Sequence, residues 1–298
     1  GTGGVIVYVK DKFQNWTQQY ILTKTGSLAG DEYVFPLRCS NNGNVLVFTS
    51  LLVKEPAVFI RAGDTWIEIS NSMILCNNIT MNESGSIIAV SDFTFNSDKG
   101  RTVVYYFTFP TITPQSGNLI GSNQIALHKQ GSSLAMNKAG DILAIGSNNA
   151  SITTSSVWIF KYDGLNWVEE KSFASANSLH TQYGLIVSLN DSGDVLAMAA
   201  QTDTSGDYYG VHVWEYGTSW ANTAFDLSFD ARNIVAKVGL SHIRSLELNS
   251  NGDSFWVSYS GSPDNGRSYL YTNIDGVWAY NTNNRSIVNH QSIKNKGY

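Results

Sequence analysis

The sequence predicts an all-β fold, a single β-propeller of four-stranded antiparallel blades, on three observations. A hairpin built around an Asn-x-x-Gly type of turn recurs five times, an aromatic-rich strand leading to Trp recurs between those copies, and no window carries apolar residues at helical spacing with caps. An α/β sheet or a helical solenoid is therefore not expected, and a two-sheet sandwich would not repeat a four-strand unit.

The first hairpin half spans 37–48, 79–90, 134–145, 187–198 and 246–257. Two apolar residues alternate with polar ones before each turn (Leu37/Cys39, Ile79/Met81, Leu134/Met136, Val187/Leu189, Leu246/Leu248), the period-two mark of a half-buried strand. After the turn comes a near-continuous apolar run, such as 45–48 or 142–145, which suits a strand covered on both sides. The intervening Asn, Ser, Gly and Asp supply side-chain bonds to the backbone and the positive φ of a tight hairpin.

The second half appears at 5–9 leading to Trp16, 58–60 to Trp66, 157–160 to Trp167, 211–214 to Trp220 and 269–271 to Trp278, with 103–107 as a copy without Trp. Turns such as Asp163-Gly164-Leu165-Asn166 make it a hairpin too. The regular place of the Trp residues argues for packing between blades. With glycines at 43, 85, 140, 193 and 252, the units are 42 to 59 residues apart, the length of a propeller blade.

Six copies of the Trp half against five of the other put the start of this chain in mid-blade. Residues 5–22 then join either a strand from beyond Trp278 or a hairpin lying upstream in a longer polypeptide. Six blades are expected, with five and seven as the alternatives; residues 1–298 form one domain ending in a short tail at 289–298.

Tyr183-Gly184, Val187-Ser188-Leu189-Asn190, Gly193-Asp194-Val195-Leu196-Ala197 and Gly210-Val211-His212-Val213-Trp214 resemble the FG-GAP repeat of integrin-α-type propellers, and 131–146 followed by 157–160 repeats that skeleton. The resemblance implies adhesion or receptor binding. FG-GAP repeats often carry an Asp-x-Asp-x-Asp-Gly calcium loop, whereas the turns here, at 137–141, 190–194 and 249–253, offer one or two carboxylates each against the six to eight oxygens calcium requires. Plain hairpin turns are favoured over calcium sites, and no cofactor or other metal is expected.

Composition narrows the partners. A net charge of -5 without a basic run gives no footprint for nucleic acid or an anionic membrane surface, and no apolar stretch is long enough to span a bilayer. Cys39 and Cys76 lack metal spacing; Cys39, at an inward strand position, is expected to be a buried free thiol. Six Asn-x-Ser/Thr sequons are about what so Asn-, Ser- and Thr-rich a chain produces by chance.

The turns inside the hairpins are short and uniform and lie on one face of a propeller. The connections on the other face, among them 91–101, 110–128, 172–183, 200–209, 223–242 and 260–267, vary in length and content, as binding loops on a rigid scaffold do. Candidate ligand contacts there are Asp98 and Arg101, Asp264 and Arg267, and the group Asp203, Asp207, Tyr208 and Tyr209, whose carboxylates and neighbouring rings suit sugar stacking and hydroxyl recognition. The competing reading of the two Asp/Arg pairs is ordinary turn chemistry with solvated arginines.

The expected function is a non-enzymatic binding or adhesion module that recognises a glycan or protein on a surface, extracellular or surface-exposed on a cell or virion. One alternative is a propeller glycosidase of sialidase-like type. Seven arginines and an Asp-box-like turn at 249–256, with its Gly one place early and no leading Ser, speak weakly for it; no catalytic residue is assigned and the five histidines show no metal spacing. The other is a structural module of a virion or cell-surface assembly.

Overall fold

The computed structural model describes residues 3–27, 30, 36–49, 52, 54–69, 72–148, 155–174, 181–201, 209–227, 242–260 and 267–280. They form a β-propeller of six sheets, five of four strands and one of two. The two-stranded sheet pairs β1 (Val5–Lys10) with β2 (Trp16–Leu22).

The five full sheets follow as simple meanders. They are β3 (Leu37–Cys39), β4 (Val45–Thr49), β5 (Pro56–Ala62) and β6 (Thr65–Ile69); β7 (Asn78–Met81), β8 (Ile87–Asp92), β9 (Arg101–Thr108) and β10 (Thr111–Pro114); β11 (Gln130–Met136), β12 (Ile142–Ser147), β13 (Ser156–Tyr162) and β14 (Trp167–Ala174); β15 (Thr181–Leu189), β16 (Val195–Gln201), β17 (Tyr209–Tyr216) and β18 (Trp220–Leu227); and β19 (His242–Leu248), β20 (Ser254–Ser260), β21 (Arg267–Ile274) and β22 (Val277–Tyr280). Every expected hairpin half is present.

Each core lies between successive sheets, which is why the second strands of the full sheets, such as β4, β8, β12 and β16, read apolar on both faces. Val45, Val47 and Val58 pack on Ile79, Ile88 and Val90 of the next sheet, and Ala89 and Val104 on Leu143, Ile145 and the fully buried Trp158 of the one after. Ala144, Val157 and Ile159 meet Leu196, Met198 and Trp220; Ala197 and Val213 meet Leu246, Phe255, Tyr271 and Trp278. Val5 and Leu22 tie the two-stranded sheet to Leu46, Phe48 and Phe59. Trp167, Trp220 and Trp278 are buried between blades as expected, but Trp16 is 65% exposed.

The turns interlock. Asn190 accepts the Gly193 and Val195 amides on Oδ1 at 3.0 and 2.9 Å, while its Nδ2 donates to Asp194 Oδ1 at 2.7 Å and to the Asn251 carbonyl of the next blade at 3.4 Å. Asn82 and Asn137 reach the following turn in the same way. The residue after the one that opens each turn, Ser40 in the first and Asn in the rest, continues the series through the backbone: Asn41 N–H donates to Glu83 O, Glu83 to Lys138, Lys138 to Asp191 and Asp191 to Ser250, at 2.9, 3.3, 3.2 and 3.1 Å. Gly193 sits at φ +79, and a Cβ there would come within 2.8 Å of Ile142 in the preceding blade, so only glycine fits. Gly43, at φ +68, would meet nothing within 4 Å, because its turn faces the two-stranded sheet.

The same neighbour corrects the Cys39 expectation. Leu37 and Cys39 pair with Phe48 and Leu46, on the face turned toward β1 and β2. Among the described residues no strand pairs with the other edge of β1, so Leu37 (41%) and Cys39 are exposed; Cys76 is the buried thiol. Ile6 and Tyr8 on the far face of β1 are exposed as well, at 49% and 52%.

Candidate functional site on the loop face

Two long connections on the face opposite the uniform turns are described, residues 93–100 between β8 and β9 and residues 115–129 between β10 and β11. They are locked to each other. Leu127 N–H donates to Ser97 O, Lys129 N–H to Asp98 O at 2.7 Å and Gln130 N–H to Lys99 O at 2.9 Å. Gln124 Nε2 donates to the Lys99 and Gly100 carbonyls and to Gln130 Oε1, and the fully buried Gln130 holds Gly121 N–H and Leu119 O from within. Gly100 lies so close to the Gln130 backbone that a Cβ would stand 2.2 Å from its oxygen.

The lock demands unusual backbone. Asn96, Ser97 and Asp98 take φ of 50, 60 and 58, left-handed values that the surrounding hydrogen bonds impose. Although 95–98 closes like a single helical turn, it is a left-handed turn. Around it the platform carries exposed aliphatic side chains, Ile120 (42%), Ile125 (49%) and Leu127 (44%), next to Lys99 and Lys129.

Of the candidate contacts, Asp98 stands in this platform. Arg101 is at its base, where Nη2 meets Asp92 Oδ2 at 3.5 Å and the guanidinium lies 4.2 Å from the Phe95 ring centre. Asp92 is buried and also accepts from the Thr94 amide and hydroxyl, so Arg101 props the loop. Tyr209 opens β17 opposite Gln201, and Arg267 opens β21 opposite Tyr259. Asp203, Asp207, Tyr208 and Asp264 lie outside the described residues.

The propeller axis forms a second concavity. A cavity of about 530 Å³ is lined by the innermost strands of all five full sheets, and another of about 540 Å³ opens at the turn face; Arg38, Met136 and Leu189 belong to both. At the turn-face mouth Lys138 Nζ is 3.0 Å from Glu83 and 3.6 Å from Asp191, and the hydrogen bond from Lys138 holds the Glu83 carboxyl below its ordinary value. Deeper in are Arg38, Ser188 and Glu247. These three were not singled out from the sequence, yet they occupy one repeat position, the residue between the two inward apolar ones: Arg38, Thr80, Ala135, Ser188, Glu247. Aligning the five hairpins on that position exposes the two charges.

The turn carboxylates face inward on their own turns. Asp141, Asp194 and Asp253 each accept from the Nδ2 of the Asn that opens the turn, at 2.8, 2.7 and 2.6 Å. Among the described residues no group of three or more His, Cys, Asp or Glu is gathered to hold a metal, and no helix is long and apolar enough to cross a membrane.

No family model and no curated protein matches the sequence. Solved structures do resemble it, and they define its class as a β-propeller. A putative 6-phosphogluconolactonase from Bacteroides uniformis is similar over 94% of this chain and 77% of its own, with TM-score 0.58 and 12% identity. Hsv2 from Kluyveromyces marxianus is similar over 93% and 77%, with TM-score 0.57 and 13% identity. Hydrazine synthase from Kuenenia stuttgartiensis aligns over 82% of this chain, TM-score 0.55 and 8% identity, and the chain spans 64% of that protein's chain. At these identities the likeness is one of fold.

Proposed function

We propose that the chain is a non-enzymatic recognition module that binds a surface ligand, a glycan or a protein, through its loop face. One observation carries the reading: residues 93–100 and 115–129 are held rigid by hydrogen bonds to each other, yet they direct Ile125 and Leu127 to solvent. Apolar side chains fixed on a rigid platform bind without a large ordering cost, and their only internal alternative, packing into the core, is not taken. The turn face is different in kind, since its polar groups are engaged in the Asn networks and the backbone series.

The aliphatic platform suits a protein surface; Tyr208 and Tyr209, with Asp203 and Asp207, carry the glycan version. The FG-GAP-like skeleton adds to the adhesion reading. The test is to screen the purified chain on glycan and extracellular-protein arrays, beside Tyr208→Ala/Tyr209→Ala. Binding with the captured glycan left intact is expected. Release of a cleaved sugar would favour the glycosidase alternative, and a blank on both arrays from folded protein would sink the reading.

A further inference from the structure

Arg38 and Glu247, opposite charges that do not touch, line the axial cavity, and the exposed Arg244 of β19 is also on its lining. Arg38 projects from β3 and Glu247 from β19, both line the 530 Å³ cavity, and no Arg38 nitrogen approaches a Glu247 oxygen within the 4.0 Å of an ion pair. Each feels the other: the field of Glu247 supports the protonated Arg38 against burial, which pushes its pKa down, and burial pushes the Glu247 carboxyl up against the pull of Arg38 and Ser188.

Neither charge is fully engaged by protein. Among the described residues the Arg38 guanidinium makes one hydrogen bond, to the carbonyl of its own neighbour Leu37 at 3.0 Å, which leaves most of its five donors toward the cavity. Among the described residues Glu247 accepts only a long bond from Ser188 Oγ, at 3.5 Å. Of the hydroxyls around them, Ser133 donates to the Gly184 carbonyl, and Ser188 accepts from the Leu248 amide besides its long bond to Glu247. A guanidinium withdrawn from bulk water and not neutralised by contact favours an anionic partner. A carboxylate facing it across the same space disfavours a purely anionic one and favours a cation at the far end.

We infer that the axial cavity is a binding site for a small zwitterion of amino-acid size, its carboxylate on Arg38 and its ammonium on Glu247. The volume is within the range of small-molecule pockets, and two opposite charges out of contact across it leave room for a ligand that carries one of each. The site is independent of the loop face, so the two readings stand or fall separately.

Calorimetric titration tests it with three matched three-carbon probes, β-alanine, propionate and propylamine, alongside a panel of free α-amino acids and 4-aminobutyrate. At least one zwitterion is expected to bind below about 10 mM, and where β-alanine binds, propionate and propylamine should each be weaker by about tenfold. Arg38→Met and Glu247→Gln should each weaken the best zwitterion by about tenfold or more, with circular dichroism showing that both fold. If Arg38→Met fails to fold, Arg38→Lys and Glu247→Gln carry the same test through the lost two-pronged contact and the lost charge. No zwitterion binding up to about 10 mM, propionate matching β-alanine, or binding unchanged in Glu247→Gln would each overturn the inference.

Discussion

At the scale of single residues, the Asn that opens four of the five inner turns does more than punctuate them. Asn190 satisfies two backbone amides, orders the Asp194 carboxylate and reaches the next blade. Asn190→Ala leaves the Val195 amide without its acceptor and the Gly193 amide with only the Asn190 backbone carbonyl, and the expected loss is about 2 kcal/mol of stability in a denaturant titration, the cost of stranding a buried donor and losing the links to Asp194 and the next blade. Asp194 has a pH consequence. Its desolvation would raise the carboxyl, but hydrogen bonds from Ser192 Oγ and Asn190 Nδ2 outweigh it and hold the pKa below the usual carboxylate value. The stability this group contributes is therefore full above the ordinary carboxylate range and is lost as pH falls through the lowered folded value; Asp194→Asn should flatten the stability-against-pH curve in that acid window.

The two thiols give a second residue-scale outcome. Cys39 is exposed, whereas Cys76 is buried and its thiol is pushed strongly up by desolvation. Alkylation of native protein, followed by mass spectrometry, should modify Cys39 alone, with Cys76 reacting only in denaturant. Two adducts on native protein would contradict the packing. The alternation of Leu37 and Cys39 was legible in the sequence and correctly identified a strand. Their exposure was not, because it depends on which strands stand in the neighbouring sheet and not on their own pattern.

At the scale of elements, the hairpins were legible because two local signals coincide in them, period-two alternation before the turn and turn chemistry within it. The inner turn glycines separate the two reasons for being glycine. Gly193 needs both a left-handed φ and the absence of a Cβ against Ile142, while Gly43 needs only the φ. Gly43→Ala should cost about 1 kcal/mol from backbone strain, and Gly193→Ala clearly more, since Ile142 must also shift; equal losses in thermal unfolding would count against the packing of one turn on the preceding blade. Trp158, fully buried between the second and third full sheets, is not one of the recurring Trp residues, and its indole N–H is held by the Ser122 carbonyl at 2.9 Å. The platform loops were legible as long and variable, but their mutual lock was not, because it runs through backbone carbonyls and a buried Gln that no spacing rule marks.

At the scale of the whole molecule, six sheets in series are joined by five cores, and the two faces of the propeller are built differently. The turn face is tied together blade to blade by repeated backbone bonds, so its sequence is constrained by structure. The connections on the loop face differ in length and content from blade to blade, and the axis collects whatever the middle residue of each inner strand supplies. Arg101 shows how far sequence alone reaches: its place in an Asp-x-Gly-Arg turn fits a ligand contact, and only the buried Asp92 and the Phe95 ring beneath it show that it supports the platform.

The most direct test sets the two faces against each other on whichever ligand the arrays identify, by comparing its affinity for Ile125→Asp/Leu127→Asp and for Lys138→Glu. Recognition through the loop face predicts a loss of about tenfold or more in the first variant and an unchanged affinity in the second, both proteins being folded. An intact affinity in the platform variant, with a loss on changing Lys138, would place recognition on the turn face and contradict the account.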